Sequence, residues 1–140
     1  MYQQILYTSR AVDGLTFSDV YDIIRTAHNR NSRSGLTGGL LFLDGHFYQV
    51  LEGSSYAVHE RYKAISADAR HHDLMLRRDI ATSELAFPSE WMALKDGTSI
   101  APAILRSHDY QPGMPEEKFT DLQVLAFVLD CFTTDENAPQ

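Results

Sequence analysis

LLFLDGHFYQVL, residues Leu40–Leu51, reads as two strands joined by a tight hairpin. Asp44-Gly45 suits a two-residue turn whose central residues need positive φ, and strand-forming residues flank it on both sides. In the second of these strands Gln49 stands between Tyr48 and Val50, so it shares a face with Leu51 and Gly53. An amide among apolar neighbours must have its hydrogen-bonding groups satisfied or incur a desolvation cost of about 1–3 kcal/mol.

Upstream of the hairpin, GLTGG (Gly35–Gly39) is glycine-rich but lacks the Lys-Ser/Thr that completes a phosphate loop. Its glycines read as a bend leading into the strand. Phe17, Val20, Ile23, Ile24 and Ala27 recur at helical spacing behind a capping box of Thr16 and Asp19, and Asn29–Ser34 (NRNSRS) reads as the break that ends this helix. Before it, Gln4–Ser9 alternates as a short strand, with Asp13-Gly14 as a turn.

Downstream, Glu52–Ser55 ends the hairpin, and Val58, Tyr62, Ile65 and Ala69 mark a second amphipathic helix. Leu74–Ala81 and Trp91–Leu94 read as two more strands around a loop holding Pro88. The order β-α-β-β-α-β-β predicts an α+β, ferredoxin-like fold, with two helices on one face of a mixed, mainly antiparallel sheet. After Gly97, prolines and glycines interrupt the chain until a last helix from about Glu116 to Phe132, apolar on more than one face. Such a helix needs cover on more than one side, from the sheet plus a second subunit or wholly from its own domain. The expected division is a sensor domain over 1–97, a C-terminal helical extension over 98–133 and a disordered tail over 134–140.

The chain has 140 residues, enough for one domain to bury most of its apolar surface without a disulfide or metal. A net charge of −7 repels phosphate backbones and argues against sequence-independent nucleic-acid binding. One cysteine, Cys131, leaves no disulfide framework and no thiolate metal cluster, and reads as a small buried hydrophobe. Neither a signal peptide nor a membrane span is evident, so a cytoplasmic location is the expectation. HExxH, GxSxG, CxxC and GxGxxG are all missing, the six histidines are scattered, and no metal site is expected. What stands out is a polar set among apolar positions: Tyr7 in the first strand, Asn31 at the end of the first helix and Gln49 in the hairpin.

At these residues the chain resembles the BLUF family, domains that sense blue light using flavin. LYTSRA (Leu6–Ala11), Asn31 with GLTGGLLF (Gly35–Phe42), FYQVLEG (Phe47–Gly53) and DARHH (Asp68–His72), taken as closing the second helix, fall in the family's order and spacing. The resemblance implies a photoreceptor, not an enzyme, with non-covalently bound FAD (FMN or riboflavin as alternatives) between the two helices. It implies Tyr7 and Gln49 as the photoactive pair and Asn31 at the ring's carbonyl and N3 edge. Ile23, Ile24 and Ala27 would form the helical wall. Asp68, Arg70 and His71 match positions contacting the flavin's polar side and its phosphate or ribityl chain. Lys63 lies near that helix face, while Ala64 stands where the family usually has arginine. Met92 matches a methionine thought to pass the switch outward. Glu90 holds the position of the family's tryptophan and Trp91 follows it, so whether Met92 or Trp91 faces the flavin stays open. Leu85 replaces an arginine often found there.

On this reading the signal leaves through protein contacts, with homo-oligomerisation through the C-terminal helix and a downstream protein partner. The main alternative is a flavin-free, ferredoxin-like interaction module, which leaves Tyr7, Asn31 and Gln49 without a common purpose. A flavin-dependent reductase would need a substrate pocket that Tyr7 and Gln49 crowd. A small acyl-phosphate hydrolase lacks its phosphate loop.

Overall fold

The hairpin is built as its turn residues dictate: Asp44 and Gly45 take φ of 52° and 73°, joining β2 (Thr37–Leu43) to β3 (His46–Gly53). Positive φ at both central residues matches the right-handed twist of the flanking strands. The computed structural model describes residues 1–133, so the expected tail at 134–140 lies outside the described residues. β1 (Tyr2–Ala11) pairs antiparallel with β3 on one side and with β4 (His71–Thr82) on the other. β5 (Ala93–Asp96) adds a parallel edge beside β2, giving a five-stranded sheet of order β4-β1-β3-β2-β5. The fold is the expected α+β, ferredoxin-like one, with α1 (Phe17–Ser34) and α2 (Ser55–Ser66) together on one face.

The last strand runs Ala93–Asp96 where Trp91–Leu94 was expected, so Trp91 and Met92 precede it, and three helix boundaries also differ from expectation. α1 runs straight through Asn29–Ser34 and stops at Gly35, whose φ of 69° caps the helix while its N–H donates to the Asn31 carbonyl. A run of polar residues looks like a loop in sequence, but on an exposed helical face it is simply solvated, and the αL glycine is the real stop. α2 ends at Ser66, so Asp68-Ala69-Arg70 is a loop and His71-His72 opens β4. Consecutive strand residues face opposite ways, which turns His71 inward and His72 out. The last helix, α4 (Asp121–Thr133), starts five residues later than Glu116, and a short α3 (Pro102–Ser107) precedes it with proline at its start.

Strand alternation sends residues to two cores. Ile5, Tyr7, Leu40, Phe47 and Leu51 face α1 and α2, whereas Leu6, Leu41, Leu43, Tyr48 and Val50 pack against α3, α4 and the segment between them. The sheet is therefore a middle layer covered on both sides, which explains why β3 from Phe47 to Gly53 is buried without interruption. α4 buries Val124, Phe127, Val128 and Cys131, leaves Leu125, Leu129 and Phe132 partly covered and exposes Leu122. Close packing also explains Gly38 in GLTGG. A Cβ there would lie 2.0 Å from the Val50 carbonyl oxygen, so no side chain fits between β2 and β3. Among the described residues no helix is long and apolar enough to cross a membrane.

Candidate functional site

Between α1 and α2, over the middle of the sheet, lies a cleft enclosing about 690 Å³ of empty space, counting the part open to solvent. Helical spacing explains its walls: Ile23, Thr26, Ala27 and Arg30 are one stripe of α1, while Arg61, Ala64 and Ile65 are one stripe of α2. The floor comes from alternate strand residues, Tyr7 of β1, Leu40 of β2, and Phe47, Gln49 and Leu51 of β3. Of the residues expected at a flavin site, Tyr7, Ile23, Ala27, Asn31, Gln49, Asp68, Arg70 and His71 come together here. Ile24 and Lys63 do not line the cleft. Ile24 is a step of about 100° round the helix from Ile23 and packs into the core on that side of the sheet. Lys63 lies about 200° from Arg61 and is exposed.

Tyr7 and Gln49 are direct partners across the β1–β3 pairing. The buried Tyr7 hydroxyl donates to Gln49 Oε1, and Gln49 Nε2 approaches Met92 Sδ at 3.5 Å. An amide offers two N–H and two acceptor lone pairs. Gln49 thus keeps one of each for whatever occupies the cleft. Burial pushes the Tyr7 phenol well above the usual range, with Tyr62 and Asp68 adding in the same direction, so Tyr7 is a neutral phenol at any physiological pH. Its ring packs beside Tyr62, with centroids 5.6 Å apart, and edge-on to His71 at 6.2 Å. Met92 is 4% exposed and beside the amide, whereas the Trp91 side chain lies half-exposed at the surface. Only the Trp91 carbonyl reaches the site, accepting from Asn31 Nδ2 at 2.7 Å.

Asn31 is fully buried, and with Nδ2 spent on that carbonyl its Oδ1 has no partner. An orphaned buried acceptor at the wall of a cleft calls for a donor from a ligand. The imide N–H of a flavin ring is such a donor, and the apolar walls formed by Ile23, Ala27, Phe47 and Leu51 suit the faces of the ring. The residues present therefore fit a flavin.

The cluster at Asp68, Arg70 and His71 is largely self-satisfied. Arg70 Nε and Nη2 clamp the Asp68 carboxylate at 2.5–3.1 Å, and this bonding holds the Asp68 carboxyl down at about 2. His71 Nε2 lies 2.7 Å from the Ile65 carbonyl, which only accepts, so Nε2 carries the proton and donates, while Nδ1 pairs with the Ser9 hydroxyl at 2.7 Å. The imidazole is thereby fixed as part of the cleft wall.

Sequence reasoning missed Arg30, Arg61 and the strand floor of Leu40, Phe47 and Leu51. The helical stripes carried the signal for the arginines, but only knowledge that the two helices flank one cleft makes it readable. It also missed Glu52. This fully buried carboxylate accepts from Gln4 Nε2 at 2.8 Å and from the backbone N–H groups of Ala86 and Phe87 at 2.9 and 2.8 Å. Gln4 in turn accepts from Arg78 Nε, and Arg78 bridges to Asp121 at the start of α4 at 2.8 Å.

Comparison with known proteins agrees with this geometry. A family model described as sensors of blue light using FAD matches residues 2–93. The chain is 37% identical over 87 residues to a photoactivated adenylate cyclase subunit beta of Euglena longa, a match covering 62% of this chain and 10% of that protein. The chain thus spans about a tenth of that relative's length. Among solved structures, the dark state of BlrB, a BLUF protein, superposes with a TM-score of 0.74 at 26% identity over 94% of each chain. The photo-activated state of BlsA shares the fold, with a TM-score of 0.84 at 19% identity, over 99% of this chain and 100% of that one. The matched segment is a sensor and not an enzyme, and FAD is the family's cofactor. A cleft lined by Tyr7, Asn31 and Gln49 that fits a flavin, together with the match of that family model over residues 2–93, makes the protein a member of the BLUF family of blue-light sensors.

Proposed function

We propose that this blue-light sensor switches through the Tyr7–Gln49 pair and delivers its signal by protein contacts on the far side of the sheet. The observation that carries the reading is the buried chain of contacts from the Tyr7 hydroxyl through the Gln49 amide to the Met92 sulfur. When bound and excited by blue light, flavin supplies a strong oxidant. Tyr7 is the phenol placed to give up an electron, and its proton has an acceptor already in position at Gln49 Oε1. Accepting that proton, or losing its hydrogen-bond donor, releases Gln49 to rotate or tautomerise. The amide then exchanges donor for acceptor toward the cleft, with no bond broken if it rotates and with an Nε2–H bond traded for an Oε1–H bond if it tautomerises. Asn31 Oδ1 and the helical walls orient the ring while this happens, and the depth of the site keeps water from competing.

The same rotation withdraws the Gln49 N–H from Met92. Met92 follows the loop that Glu52 holds through Ala86 and Phe87, and Glu52 is linked through Gln4 and Arg78 to Asp121 of α4. Residues 1–97 act on this reading as the sensor and residues 98–133 as the output surface, with a second copy or a downstream protein held by α4, whose Leu122 is exposed. The Euglena relative supports a downstream effector, being by its name part of an adenylate cyclase.

The test is the visible spectrum of the flavin-loaded protein before and after blue light. A small red shift that recovers in darkness, lost in Gln49→Leu and in Tyr7→Phe with flavin still bound, is the expected result. A shift of wild-type size in either variant would sink the assignment.

A further inference from the structure

Cations are unevenly used in this acidic chain. Arg70 is neutralised by Asp68, Arg78 by Asp121 and Arg25 by Asp22. Among the described residues Arg30 and Arg61 make no ion pair, yet both line the cleft between α1 and α2. They face each other across it, Arg30 from the last turns of α1 and Arg61 from the middle of α2. Arg61 Nε is buried without a hydrogen-bond partner, and the Arg61 guanidinium is held below its ordinary pKa by burial first and by Arg30 second. Two like charges brought together with an unsatisfied donor between them are stabilised by an anion and by little else.

The cleft is graded in the same sense. Its deep end, at Tyr7, Asn31 and Gln49, is buried and neutral, while Arg30 is exposed and Arg61 half-buried at the mouth. An aromatic ring at the deep end would place an anionic tail at the two arginines. Resting on the flavin reading above, we infer that Arg30 and Arg61 form a phosphate subsite at the cleft mouth that selects a flavin nucleotide over riboflavin. Asp68, Arg70 and His71, whose polar groups are engaged with one another and with Ser9 and Ile65, contribute the wall beside it.

Fluorescence-quenching titrations of the flavin-free protein with FAD and with riboflavin test this. Wild type is expected to bind FAD roughly tenfold or more tightly than riboflavin, as suits charge-assisted bonds to phosphate. In the Arg30→Gln/Arg61→Gln double variant that preference should fall to near unity, with riboflavin affinity changed by no more than about twofold. Arg61→Lys should retain part of the preference, and raised salt should erode it in wild type only. A double variant that keeps the preference overturns the subsite, as does one that weakens both flavins equally. Inorganic pyrophosphate alone separates the two readings. If riboflavin binds but pyrophosphate gives no rise in wild-type Tm and FAD is not preferred, the subsite falls while the flavin site stands. If no flavin binds but pyrophosphate raises Tm in wild type and not in the double variant, the arginines hold free diphosphate and the flavin reading falls.

Discussion

The two faces of the sheet are built to different standards. On the α3/α4 face, Phe127, Val128, Val124, Met114 and Tyr48 are all buried, and the Tyr48 hydroxyl, its pKa pushed up by burial to about 12, bonds both Tyr110 and the Gly113 N–H. On the α1/α2 face, eighteen residues of α1 bury only Val20 and Asn31, and α2 buries only Val58. One face is a finished core, while the other is two helices held apart around a cleft. The difference shows which half the polypeptide stabilises by itself and which half is completed by what it binds.

The contrast can be broken most severely from the closed side. Phe127→Ala should cost about 3–5 kcal/mol, the range for emptying a packed aromatic site, and should be measurable as a lowered urea midpoint. The same experiment on the open side should show little, since Ile23 and Ile65 are only partly buried. Next in size, FAD should stabilise the protein by about 2.7 kcal/mol at a free concentration a hundred times its Kd, and hydrogen exchange should slow chiefly in α1 and α2. Uniform protection across α4 as well would mean that flavin binding alone, before any light, already tightens the far face.

The smallest effect sharpens the comparison at the rim. The Asp68 carboxyl is held near 2 in the folded chain, below its ordinary value of 3.8, by Arg70. A lowered folded pKa gives stability that is complete above the ordinary value and is lost as pH falls through the folded one. Because both partners are partly solvated, that contribution is under about 1 kcal/mol. Asp68→Asn should therefore flatten the stability profile between pH 4 and 2 while leaving the neutral-pH midpoint lower by that small amount. An acid profile identical to wild type would show that the clamp contributes nothing.

Much of this division was legible in the sequence. Asp44-Gly45 between two apolar runs set the hairpin, and strand alternation put Gln49 on one face with Leu51, while Tyr7 joined it only through the family resemblance and the β1–β3 pairing. Local chemistry of that kind is visible because its partners lie within a few residues. The stop of α1 was not, since Asn29–Ser34 has a loop-like composition and only Gly35 carries the backbone requirement for the turn. Arg30 and Arg61 become a pair only when the two helices that carry them are laid side by side. Glu52 reads as an ordinary hairpin-ending acid, because the N–H groups that justify burying it lie beyond α2 and β4, at Ala86 and Phe87.

The sheet that separates the two cores is one residue thick, and this changes what distance means inside the molecule. Tyr48 and Gln49 are successive links of one strand, about 3.8 Å apart along the chain, yet one belongs to the closed core and the other to the cleft. A displacement of β3 on one side is a displacement on the other, with no intervening side chains to absorb it. The partition is thus a shared hinge plate, and its two tenants cannot be remodelled separately: a change made at the Gln49 amide also moves the anchor of Tyr110 and Gly113.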